Sequence, residues 1–144
     1  MTETSAPSVA SEQLLAFVID SDARVHEFAV ATLAEHGIRA ESFQAAKTAL
    51  AAIDSAPPAV IFLELTLLQS DAIDVLNGLG ERDYRGVVHL ISGARVALLD
   101  AVRRLGVGKG VTFGAHLTKP VTRHAIVEVI TGIGSWSPPL QPAE

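Results

Sequence analysis

The chain has 144 residues, 49% of them hydrophobic and 19% charged, which gives enough apolar mass for one domain with a real core and argues against intrinsic disorder. Sixteen acids against eleven Lys and Arg leave a formal charge of −5 with no basic run or stripe, so nucleic acid is not an expected partner. Cysteine is absent, which removes disulfide frameworks and thiolate metal sites, and no apolar stretch approaches the ~20 residues that span a bilayer.

The opening MTETSAPSVASEQ lacks the basic region of a secretory signal, so residues 1–12 read as a polar tail on a cytoplasmic protein that stays off membranes. LLAFVI, Leu14 to Ile19, is the first strand. A helix follows on Val25, Phe28, Ala29, Thr32 and Leu33, with Gly37 as its stop. IRAESF, Ile38 to Phe43, reads as a second strand. The next helix, on Ala45, Ala46, Ala49, Leu50 and Ile53, is broken by Pro57 and Pro58. AVIFL, Ala59 to Leu63, is a third strand, leading to a helix on Ile73, Leu76 and Leu79. VVHLI, Val87 to Ile91, is a fourth, leading to a helix on Val96, Leu99, Val102 and Leu105 that Gly106 should end. VTFGAHL, Val111 to Leu117, reads as a fifth strand, before a last helix on Ile126, Val127 and Ile130. Residues 13–131 form the domain, and the Ser- and Pro-rich 132–144 a tail. Strands alternating with helices give a parallel sheet covered on both faces, which explains why the third and fourth runs are almost wholly apolar.

Ligands of such sheets bind beyond the carboxyl ends of the strands. The polar residues at those ends are Asp20, Ser21 and Asp22 after the first strand, Glu64 after the third, Ser92 after the fourth, and Thr118 and Lys119 after the fifth. Acids, a hydroxyl and an ammonium thus converge on one edge, which marks a site.

FVIDSD, LELTLLQSDAIDVL, LISGA and HLTKP, in register from Leu14 to Thr131, resemble the successive motifs of the receiver domain of two-component response regulators. The resemblance implies a flavodoxin-like doubly wound fold, (βα)5, with a five-stranded parallel sheet in the order 2-1-3-4-5. It implies an acidic pocket in which Mg²⁺ assists transfer of a phosphoryl group from a kinase histidine to an Asp after the third strand. Ser92 and Lys119 match the residues that bind the phosphoryl oxygens, and the Lys-Pro bond after the fifth strand is commonly cis in the family. The chain departs from the pattern where the chemistry is done. Glu64 occupies the phospho-acceptor position, and Ser21 replaces the second acid of the metal-binding pair. Leu68 stands for a Pro, Ala72 for a Gly, and His116 for the aromatic switch residue.

Glu reaches about 1.5 Å further than Asp, one carbon–carbon bond. Phosphoryl transfer depends on positioning, and a misplacement of about 1 Å costs about 100-fold in rate. Glu64 is therefore expected to accept phosphate poorly or not at all. Asp20, Glu64 and Lys119 sum to −1, or −2 if Asp22 turns inward, so Mg²⁺ on Asp20, Asp22 and Glu64 should be weakened rather than lost. The longer arm of Glu64 can instead set its carboxylate about where a phosphoryl group would sit, against Lys119 and Ser92, as a standing ion pair.

Plainer roles compete. Ser21 and Asp22 precede a helix and can cap it. Ser92 can be a turn residue, and Glu64 a loop cap. The five histidines show no ligand spacing for zinc, and His89 reads as a hydrogen-bonded core residue. Trp136 is either a surface residue of the tail or an anchor for a partner. The expected function is a single-domain receiver, not an enzyme, that signals without phosphorylation through protein contacts. Its partners would be a sensor histidine kinase or another signalling protein, and a second copy of the chain across the fourth helix, fifth strand and fifth helix, where Arg95, Arg103 and Arg104 lie. The alternative is a phosphorylatable receiver or phosphate sink in a histidine-kinase phosphorelay. A hydrolase built on Ser92 and Lys119 is disfavoured, because LISGA is not a nucleophile elbow.

Overall fold

The computed structural model describes residues 14–65, 69–93 and 96–134. Within them lie β1 (Leu15–Ile19), α1 (Ala23–Glu35), β2 (Arg39–Phe43), α2 (Ala46–Ser55), β3 (Val60–Glu64), α3 (Gln69–Glu81), β4 (Val87–Ser92), α4 (Val96–Gly108), β5 (Thr112–Phe113), β6 (Leu117–Thr118) and α5 (Arg123–Gly134). The strands pair in parallel in the order β2-β1-β3-β4-β5, with β6 also on β4. This is the doubly wound, flavodoxin-like arrangement expected.

Side-chain alternation along the strands divides the core into two layers. Leu15, Phe17 and Ile19 of β1 and Ile61 and Leu63 of β3 pack with Ala49 and Ile53 of α2, Val75, Leu76 and Leu79 of α3, and Leu99 and Val102 of α4. The intervening Ala16, Val18, Val60 and Phe62 pack on the other face with Ala29 and Leu33 of α1 and Ile126 and Ile130 of α5. The edge strand β2 is marked by charge, with Arg39 Nη1 2.8 Å from Glu41 Oε2, a pattern that discourages pairing with a further strand. Among the described residues no helix is long and apolar enough to cross a membrane.

Five expectations are corrected. Among the described residues the sheet has six strands, because the segment read as one strand from Val111 to Leu117 holds two, at Thr112–Phe113 and Leu117–Thr118. Val88 pairs with Phe113 but Ile91 with Leu117, so three steps along β4 face four steps along its neighbour, which is a β-bulge at 114–116. The fourth helix does not stop at Gly106. It runs to Gly108, and Gly106 is buried inside it where a Cβ would strike the Phe113 ring; the left-handed turn falls to Gly110, at φ +88°. The buried stripe of α1 is His26, Ala29, Thr32 and Leu33, so Ala29, Thr32 and Leu33 lie as expected, while Phe28 remains 39% exposed. Ile73 and Leu105, read as buried, face solvent. The last helix also continues to Gly134, beyond Thr131.

Candidate functional site

Ile19 of β1 registers with Leu63 of β3, so Asp20 and Glu64 follow side by side at the point where the strand order reverses. Both are fully buried. The Asp20 amide donates to the Phe43 carbonyl at 3.0 Å, and its Oδ1 accepts the Asp22 amide at 2.9 Å. From β6, the Lys119 ammonium lies 3.6 Å from Asp20 Oδ2 and 3.7 Å from Glu64 Oε2. These distances exceed ordinary hydrogen-bond lengths, so one ammonium is shared electrostatically between two carboxylates. The Lys119 amide donates to the Ser92 carbonyl at 2.8 Å, which anchors the lysine's backbone to the end of β4. The Lys119–Pro120 bond is cis, as the resemblance implied.

The electrostatics remain acid-heavy. Burial raises the Asp20 pKa above the usual carboxylate range, opposed by the Asp22 amide and by Lys119, and Glu64 adds to the rise. Lys119 is 29% exposed, so water shares in balancing its charge. Asp20, Glu64 and Lys119 sum to −1.

Asp22 does not join them. Its Oδ1 accepts the Arg24 amide at 2.9 Å as the N-cap of α1, and its Oδ2 pairs with Arg24 Nη2 at 3.3 Å. Those contacts with Arg24 hold its carboxyl below the ordinary range. The expected metal set of Asp20, Asp22 and Glu64 therefore does not assemble, and among the described residues no three His, Cys, Asp or Glu groups are placed to hold an ion. Ser21 is exposed. Two carboxylates already sharing an ammonium fit Mg²⁺ poorly, since the cation would compete with Lys119 for the same oxygens.

Ser92 is buried at the end of β4. His116 lies exposed in the bulge rather than packed. His89 is buried as expected, its Nδ1–H donating to the Ala115 carbonyl at 2.7 Å and its ring stacked on Phe62. Ala72 is buried at the start of α3. Leu68, Arg95 and Trp136 lie outside the described residues.

One residue escaped the reading of the sequence. His26 is buried on α1, and its Nε2–H donates to the Asp20 backbone carbonyl at 2.5 Å, tying the helix to the strand end that carries the acid. The signal was its place at i in the i, i+3, i+7 stripe with Ala29 and Leu33.

Solved structures superpose closely. The receiver domain of NtrX from Brucella abortus aligns with a TM-score of 0.71 at 21% identity, covering 85% of this chain and 99% of that one. The chain has the receiver-domain fold. A response regulator from Colwellia psychrerythraea gives 0.71 at 20% identity over 85% of this chain and 97% of its own. The beryllofluoride-activated NtrC4 receiver domain dimer gives 0.66 at 20% identity over 82% and 93%. Against the longer NtrX chain from Brucella abortus, in complex with ADP, this receiver fold spans 25% of the length, with a TM-score of 0.69. No protein-family model matches the sequence, nor does any curated protein.

Proposed function

We propose that the chain is an atypical response-regulator receiver of two-component signalling, with Glu64 at the phospho-acceptor position, that signals without phosphorylation. The observation that carries this is the buried Glu64 carboxylate 3.7 Å from the Lys119 ammonium. Glu64 supplies a permanent charge of −1 opposite that lysine, where a phosphoryl group would bring nearly −2. Mg²⁺ binding is weak, because its carboxylates already serve Lys119.

The output is protein contact, with a sensor histidine kinase or another cytoplasmic signalling protein as partner. A second copy docks across α4, β5 and α5, where Val107 is 60% exposed beside the exposed Leu105 and Arg104. Incubation with Mg²⁺ and phosphoramidate, followed by intact-mass measurement, tests the central point. The expected spectrum shows no phosphoryl adduct. Stoichiometric labelling of Glu64 or Asp20 refutes the reading in favour of a phosphate sink in a phosphorelay.

A further inference from the structure

We infer that His89 is a positioning residue for Lys119: its buried imidazole pins the bulge at 114–116, and that bulge turns the edge strand over so that the ammonium arrives on the face of Asp20 and Glu64. Strand parity carries the argument. Asp20 continues the even-numbered face of Ala16 and Val18, and Glu64 that of Val60 and Phe62; this is the face packed on α1 and α5. Val111 and Phe113 pack instead on the opposite layer, with α3 and α4. An uninterrupted strand would carry residues 115, 117 and 119 onto that opposite layer too, because side chains alternate with a period of two. Leu117 nevertheless packs with Val18, Phe62 and Ile126. The inversion lies between Phe113 and Leu117, where the pairing offset to β4 grows by one residue. Lys119, two residues on, inherits the inverted face and meets both carboxylates.

His89 occupies the centre of that inversion. Its ring stacks on Phe62 with centroids 5.5 Å apart and planes 25° apart, which fixes it against β3. Its Nδ1–H reaches the Ala115 carbonyl, an acceptor that the bulge takes out of the regular ladder. Gly114 keeps one ladder bond, its amide donating to the Val88 carbonyl at 3.0 Å, and passes so close to the imidazole that a Cβ there would overlap the ring. A side chain at 114 and the His89 ring cannot share this space, so glycine and histidine form one device. This inference deepens the proposed reading of Lys119 as the centre of a standing ion pair and rests on it.

The test reads Lys119 directly. The chain has three lysines, and the other two, Lys47 and Lys109, are exposed internal references. Competitive acetylation with trace acetic anhydride, followed by peptide mass spectrometry, should find Lys119 several-fold less reactive than either. His89→Phe keeps the stack on Phe62 and removes the donor; Lys119 reactivity should climb toward that of Lys109. His89→Gln, which restores an N–H donor, should recover much of the protection, a rescue that bulk packing alone would not produce. Unchanged protection in a folded His89→Phe variant overturns the inference. Should that variant fail to fold, nitrogen NMR of the unmodified protein decides: the expected neutral tautomer carries its proton on Nδ1, and a proton on Nε2 instead refutes the pin. Neither readout depends on phosphoryl transfer, so a positive phosphoramidate result would overturn the proposed function while leaving the role of His89 standing.

Discussion

Replacing Lys119 with Met removes the ammonium that faces two buried carboxylates. At an effective dielectric of about 20, unit charges separated by 3.6 and 3.7 Å attract by about 4.5 kcal/mol per contact. Desolvation of the acids and their mutual repulsion offset most of that sum. Removing one partner from a buried pair typically costs about 3–5 kcal/mol. Lys119 is 29% exposed, so the loss here should fall below that range, at about 2–3 kcal/mol. For a domain of this size each kcal/mol moves the melting temperature by about 3–5 °C, so Lys119→Met should melt about 6–15 °C lower at pH 7. Adding Glu64→Gln should return at least half of the loss, because the remaining acid is then only Asp20. A double-mutant cycle by denaturant unfolding gives the coupling between Lys119 and Glu64. A coupling below about 0.5 kcal/mol would refute the ion pair as the organising contact of the site.

Other consequences follow from the same groups. Asp20 has its folded pKa raised from 3.8, so the folded state holds its proton longer than the unfolded one, and stability falls as pH rises from 3.8 through the folded value. Asp20→Asn, which keeps an acceptor for the Asp22 amide, should therefore raise the melting temperature at pH 7, with a gain that fades below pH 3.8. His89 behaves oppositely: burial lowers its pKa from 6.5, so stability should decline as pH falls from 6.5 through the folded value, and His89→Gln should flatten that slope in pH-dependent melts. Glu64→Asp together with Ser21→Asp restores three short acids around the pocket and should confer Mg²⁺-dependent labelling by phosphoramidate, which intact mass would detect. Tyr84→Phe leaves the Pro58 carbonyl without the 2.8 Å bond from the phenol and should cost about 1–2 kcal/mol in denaturant unfolding.

The parts of the fold that follow from period and punctuation were readable from residue order. β3 and β4 are buried on both faces and spelled as continuous apolar runs, and Gly37, at φ +78°, turns the chain after α1 as expected. What escaped depends on tertiary partners. VTFGAHL contains enough β-formers to pass for one strand, and nothing in it says that Gly114 is reserved for an imidazole 25 positions earlier. Gly106 looked like a stop because helix propensity counts glycine as a breaker, yet the Phe113 ring needs the space a side chain would take. Asp22 could be read as cap or metal ligand from its place alone. Arg24, two residues on, decides for the cap by holding both carboxylate oxygens.

The length of the side chain at position 64 and the bulge before Lys119 are linked. Just after β6 the Lys119 amide donates a hydrogen bond to the Ser92 carbonyl and fixes the lysine backbone, so the ammonium cannot follow a receding partner far. An aspartate at 64 would withdraw its carboxylate by about 1.5 Å, lengthening a 3.7 Å contact to about 5 Å if the reach is lost along the line of approach. Lys119 would then be left with Asp20 alone, beside a gap the size of a small polar group. Glutamate closes that gap from the β3 side, while the inverted edge strand closes it from the β4 side. Each adjustment is useful only with the other: without the inversion the lysine faces the wrong layer, and without the longer acid it faces a hollow.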